Sequence, residues 1–300
     1  MIYFLYMKKF LVKLFTEYYS HNPFSLSAAL SFYSVIAFPS FVMLLLFLSA
    51  IFASKNTLSP QVLSQMQLFF GTGATNLISQ VFQNLPSVQE LKLVSVITLL
   101  AFLFGGLGFF EQLQNSFHIF WGITLKKKLG VRGYLKNQLF LVLAMVSCGG
   151  LFIASTLVEV IFSSISHLSA FSFLQTFLPV MGFFFGLFFM MMVFTFLYKF
   201  LTQANIDWKE ALFGASITTV LFTLGKYITI QLLSHNATLS SYGVSSTIVI
   251  FLLFVYYSSQ AIFIGAVATK IHAKKHGKKI RPNKNSVNTE SVWNQLMGKV

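Results

Sequence analysis

Charge is what this chain has least of. Only 9% of its 300 residues are Asp, Glu, Lys or Arg, against roughly 25% in a globular domain. That is too few to coat a soluble body of 33.8 kDa. Acidic residues are scarcer still: there are seven, and only Glu111 and Glu159 touch the apolar runs. Two-metal hydrolysis needs several converging carboxylates, and this set offers none. The single cysteine, Cys148, excludes a disulfide and a cysteine-rich metal site, and its place in an apolar run reads as a small core residue. GxSxG, HExxH, Walker A and CxxC motifs are missing as well. No catalytic residue, cofactor or metal is therefore expected, and the chain does not read as an enzyme. His272 and His276 have ligand-like i, i+4 spacing, but they stand in a lysine-rich tail without a third ligand. A solvated basic face is the expectation there.

What the chain has is hydrophobic surface: 56% apolar residues, with 37 Phe and 11 Tyr. The class is a polytopic membrane protein, since each helical crossing takes about 20 apolar residues. A β-barrel would alternate apolar and polar residues, whereas VMGFFFGLFFMMMVFTFLYKF is apolar all round. The expected fold is an all-α integral membrane protein with six transmembrane helices, at about 25–53, 92–111, 137–162, 173–200, 210–234 and 243–270. Three regions follow: an interfacial segment over 1–24, the six-helix domain over 25–271, and a basic tail over 272–300. Beyond Arg281 the tail is polar and expected to be disordered.

In the first region Lys9, Lys13 and Thr16 share one helical face, while Phe4, Leu11, Leu14, Phe15 and Tyr18 gather opposite. This predicts an amphipathic helix lying in the interface. The lysines break what would be the core of a signal peptide, so cleavage is not expected. The outside loop between the first two spans is too long for a turn. Ser59-Pro60 starts a helix-like pattern there, Gly71-Thr72-Gly73 interrupts it, and two short amphipathic helices are expected.

A net charge of +14 would point to nucleic acid in a soluble protein. Here the basic residues cluster beside the spans: Lys8, Lys9 and Lys13, then Lys126, Lys127, Lys128, Arg132 and Lys136, then Lys209, then the tail from Lys274. The intervening loops are nearly bare, and cytoplasmic loops are the ones rich in Lys and Arg. Both termini are expected in the cytoplasm, with anionic lipid headgroups rather than nucleic acid as partners. A homo-oligomer stays open.

An ionisable group inside a bilayer is costly and marks a partner or a wet cavity. Lys226 lies about 24 Å up span five, past the midplane, and Glu159 lies about 33 Å up span three. Three readings stay open: a contact for an anionic substrate on a transport path, a structural pair with Glu159, and snorkelling to the outer headgroups. Glu111 and Lys199 sit near inner helix ends, where an interfacial charge is the plainer account. Pro39 interrupts span one and predicts a kink. Gly105, Gly106 and Gly108 precede Glu111, and Pro179 precedes Gly182 and Gly186 in GxxxG spacing. Close helix packing and broken helices lining a substrate site both fit. No inverted repeat between the two halves is visible.

Several stretches together resemble the YihY/BrkB family of bacterial inner-membrane proteins over nearly the whole chain. They are AALSFYSVIAFPSFVML, GGLGFFEQLQNSFHIFWGI, YKFLTQANIDWKEALFGASITTVLFTLGKYI and SSYGVSSTIVIFLLFVYYSSQAIFIGAVATK. The family pattern falls on Ala28, Tyr33, Pro39, Trp121, Gly122, Tyr198, Gly214, Gly225, Lys226, Tyr242, Gly243, Tyr256, Gly265 and Ala266. This chain departs from it after Tyr198, where KFLTQAN lacks the usual proline, and at Val267, where an acidic residue is often found. A proton- or cation-linked role for that carboxylate therefore does not carry over. The resemblance implies a six-helix protein of the inner membrane with a role in the envelope. The old label of ribonuclease conflicts with the lack of positioned carboxylates. Transport or translocation of an envelope lipid or anionic solute is the leading expectation, and a non-transporting scaffold or envelope-integrity factor is the alternative.

Overall fold

Backbone polar groups in hydrocarbon must be satisfied within their own segment, and the apolar runs meet that demand as helices. The computed structural model describes residues 2–52, 91–125, 130–168, 172–202, 204–235, 243–277, 280–282 and 286–289. Along these run α1 (Ile2–Tyr19), α2 (Pro23–Phe52), α3 (Leu91–Trp121), β1 (Ile123–Leu125), α4 (Gly130–Leu168) and α5 (Ser172–Phe196). A π-helical turn (Leu197–Leu201) follows, then β2 (Ala204–Asn205), α6 (Trp208–His235), α7 (Gly243–Lys275), β3 (Arg281–Pro282) and β4 (Ser286–Asn288). Four stretches of helix among the described residues are long and apolar enough to cross a membrane: Arg132–Leu151, Val180–Leu201, Trp208–Ile228 and Phe251–Lys275. Pro23–Ala37 is a shorter apolar stretch. The amphipathic helices expected between the first two spans lie outside the described residues.

Large apolar side chains face outward at helical spacing. Leu135, Leu139, Leu143 and Val146 do so on α4, Val180, Phe184, Phe188 and Met192 on α5, and Val220, Leu224 and Ile228 on α6. Stripes of this length would be a liability in water; lipid is their solvent.

The chain divides into two compact units. The first takes Met1–Pro23, Leu113–Leu221 and Ala261–Val300, and the second Phe24–Gln112 and Phe222–Gln260. In the first unit Tyr198, Phe117, Phe120 and Phe263 are wholly buried. Phe117 stacks on Trp121 with centroids 5.6 Å apart and meets Tyr198 edge-on at 5.4 Å. The helix α3 stops at Trp121 because Gly122 takes a left-handed φ of 67° and turns its N–H back onto Ile119. Of the apolar face expected on α1, Leu14 and Tyr18 are buried, while Leu11 and Phe15 stay exposed. Tyr18 stacks on Phe120 at 6.3 Å, so α1 packs on protein along a stripe narrower than its apolar face.

The tail corrects the sequence reading. Where disorder is expected beyond Arg281, the described residues supply two short strands: β3 pairs antiparallel with β2, and β4 with β1. Both β1 and β2 are short connections, and pairing with the tail gives their backbone groups partners. Ser286 is buried in the process.

Helices α6 and α7 meet backbone to backbone in the first unit. A Cβ on Gly265 would overlap Thr218 Oγ1 and lie 2.5 Å from the Tyr198 hydroxyl and 2.8 Å from the Gly214 carbonyl oxygen. One on Gly214 would overlap Thr269 Oγ1 and lie 2.6 Å from the Gly265 carbonyl oxygen. In the second unit α3 approaches α2 in the same way. A Cβ on Gly105 would sit 2.9 Å from Ala37 Cα, and one on Gly108 would strike the Tyr33 ring. Gly265→Ala is expected to lower stability by roughly 1–3 kcal/mol through overpacking. Gly182→Ala is the control, because a Cβ there meets nothing within 4 Å. Thermal unfolding of the two variants in detergent checks this.

Candidate functional site

The π-helical turn after α5 ends a helix inside the first unit, and the last carbonyls of a helix have no partner in their own backbone. Leu201 and Thr202 are fully buried there. Their oxygens are met by side chains from α3. Gln114, His118 and Trp121 recur at i, i+4 and i+7, one face of a helix. Gln114 Nε2 donates to the Leu201 oxygen at 2.6 Å, and His118 Nε2 to that of Thr202 at 2.7 Å. Since a carbonyl only accepts, the His118 proton sits on Nε2. Asn137 on α4 donates to Gln114 Oε1 at 3.3 Å, and Trp121 Nε1 donates to the Ala266 oxygen of α7 at 2.9 Å. Tyr198 completes the set. Its hydroxyl donates to the Ile262 oxygen at 2.7 Å and lies 2.6 Å from Thr218 Oγ1.

An ion pair borders this network. Lys270 Nζ lies 2.5 Å from Glu17 Oε1 and donates to the Phe120 oxygen at 2.7 Å, so one ammonium caps α3 and holds α1. Burial alone would raise the Glu17 carboxyl, but Lys270, with His21 and Lys274 adding, outweighs it and holds the group below its usual range. Lys199 donates to the Ile206 oxygen and stands 5.6 Å over the Trp208 ring.

The residues singled out from sequence divide between this network and the rest. Trp121, Tyr198, Gly214, Gly265 and Ala266 come together in it. Gly122 ends α3, and its carbonyl accepts from the Thr289 N–H at 3.0 Å. Lys226 and Glu111 are elsewhere, both half-buried in the second unit; Lys226 is engaged with a partner. Gly106 is buried, and Gly186 is half-buried. Gly182 and Gly225 have room beside them. The helix α2 continues past Pro39, and Gly243 opens α7. The side chains of Pro39, Glu159 and Pro179, and all of Tyr242, lie outside the described residues.

Sequence reasoning missed Gln114, His118, Asn137 and Thr218. The signal for the first two was a polar pair at i, i+4 on the helix face that also carries Trp121. It also missed the third partner of His272 and His276. Glu210, in the first turn of α6, brings a ligand atom to theirs, with all three within 4.8 Å of one another.

The family model described as virulence factor BrkB matches residues 14–290. The UPF0761 membrane protein NTHI0384 of Haemophilus influenzae is 20% identical over 256 residues, covering 84% of this chain and 91% of that protein. No solved structure gives a significant match.

The Glu17–Lys270 pair carries a pH dependence of definite sign. A carboxyl whose folded pKa is depressed contributes stability above its unfolded value, about 4.3, and loses it as pH falls through the folded pKa. Both side chains are about a third exposed, so the contribution is about 1 kcal/mol or less. Glu17→Gln is expected to unfold below the parent temperature at neutral pH, with the gap closing in acid. Melting curves of both proteins across that range test it.

Proposed function

The chain belongs to the BrkB virulence-factor family and is a multi-pass membrane protein, and on that premise we propose that it transports or translocates an envelope lipid or another anionic solute. It does so as a six-span protein of the bacterial inner membrane with both termini in the cytoplasm. The observation that carries this reading is Lys226, a half-buried cation in a helical stretch apolar enough to span the bilayer. A lysine at membrane depth marks a substrate or ion pathway by default, and an anionic headgroup is the ligand its charge would meet. The Lys- and Arg-rich segments, alternating with bare loops, support the orientation. They would hold anionic headgroups at the cytoplasmic face.

A scaffold or envelope-integrity factor that moves nothing is the second reading. It is supported by the use to which Trp121, Tyr198, Gly214 and Gly265 are put, since each joins one helix to another. We read the chain as a non-enzyme, and as no ribonuclease in particular. The one grouping of metal-ligating side chains among the described residues has a single carboxylate, which does not make a two-metal hydrolytic site.

Water at Lys226 separates transport from scaffold. With Cys148 replaced by Ala, a lone cysteine is placed at 226, 225 or 227 and treated with a charged, membrane-impermeant thiol reagent. The reagent needs a thiolate, and so needs water. Tyr227 is exposed on the protein surface and serves as the lipid-facing control. The transport reading expects labelling at 226 and not at 227 in oriented vesicles. Reaction at 226 only after denaturation would remove its best residue and leave the scaffold.

A further inference from the structure

We propose that Glu210, His272 and His276 form a binding site for a zinc-class divalent metal ion, which clasps the start of α6 to the end of α7. The site is separate from Lys226 and does not rest on the transport reading. Three observations converge on it. First, the donors are of the right kind and number: two imidazoles and a carboxylate, the set that binds borderline first-row divalent ions with positions left open. One ligand atom from each lies within 4.8 Å of the other two. Bonds of about 2.0–2.1 Å in a tetrahedral site put ligands about 3.3 Å apart, so the side chains must close by about 1.5 Å at most. His276 is exposed and has the freedom to make that move.

Second, the imidazoles are oriented for a metal. His276 Nδ1 lies 3.0 Å from the His272 carbonyl oxygen. That contact requires the proton on Nδ1 and leaves the lone pair on Nε2, the arrangement by which a backbone carbonyl fixes a ligating histidine. The His272 ring stacks on Phe213 at 4.1 Å. Phe213 is itself met edge-on by Phe10 of α1 at 6.2 Å. As Phe213 stands one helical turn after Glu210, the stack holds His272 beside the carboxylate. His272 Nδ1 is buried with no hydrogen-bond partner among the described residues, and a buried polar atom in that condition calls for a ligand, an ion or water.

Third, the site joins what the chain separates. Glu210 is buried in the first turn of α6, where the helix dipole favours a carboxylate, while His272 lies in the last turn of α7 and His276 directly follows that helix. Lys275 stands close enough to act on His272, and its repulsion limits affinity without removing a ligand.

The test uses full-length protein carrying no histidine tag, purified in detergent and stripped with chelator. It is titrated with Co²⁺, and the bound Co²⁺ is then displaced by Zn²⁺. One equivalent of Co²⁺ with visible ligand-field bands, lost on Zn²⁺ addition, is expected of the parent. His276→Asn, at an exposed position that does not threaten folding, and Glu210→Gln should each weaken binding by at least about tenfold. His21→Asn should leave it unchanged. Zn²⁺ should also raise the unfolding temperature of the parent and not of His276→Asn. No stoichiometric Co²⁺ binding by the parent, or binding undiminished in His276→Asn, overturns the proposal.

Discussion

A helix that ends away from water leaves its last carbonyls with nothing to bond, and the first unit is arranged around that constraint. The π-helical turn closes α5 with Leu201 and Thr202 fully buried. Each orphaned carbonyl oxygen costs roughly 1–3 kcal/mol if left alone, so the donors that meet them decide whether the turn can exist. Those donors come from one stripe of α3, and the same stripe carries Trp121 to α7. The aromatic packing of Phe117, Trp121 and Tyr198 fills the space between these bonds, and Lys270 closes the far side by capping α3 and pairing with Glu17. Polar contacts fix where the helices end; apolar and small residues let them approach.

Small residues act at the crossing of α6 and α7. Tyr198 can reach the Ile262 oxygen because Gly265 has no Cβ in the way, and Gly214 does the same for Thr269. Trp121, Tyr198, Gly214 and Gly265 thus explain how this end of the protein holds together. They do not supply a pathway. A transport role rests on Lys226, in the apolar helix stretch of the second unit.

The helices were legible because apolar runs of span length admit few other folds, and α2 through α7 begin within a few residues of the expected starts, except α4, which starts at Gly130 instead of near 137. The ends were less legible. The helix α3 runs on to Trp121, ten residues past the apolar run, because Gln114 and His118 look like a polar exit from the membrane until their acceptors are known. Those acceptors are carbonyls more than eighty residues away, and no local pattern announces such a partner. The tail read as disordered for the same reason, since its polarity is visible and the strands β1 and β2 that it pairs with are not. Glu210 stands out in no local pattern, because its neighbours His272 and His276 are more than sixty residues away in sequence.

The network at the end of α3 is tested most directly by removing its donors while keeping their bulk. Gln114→Leu, His118→Leu and the double variant would be compared with Asn115→Leu, an exposed position on the same helix, by unfolding in detergent. The account predicts a loss of roughly 1–3 kcal/mol for each single variant and none for the control. Unfolding temperatures of the two buried variants at or above that of the parent would contradict it.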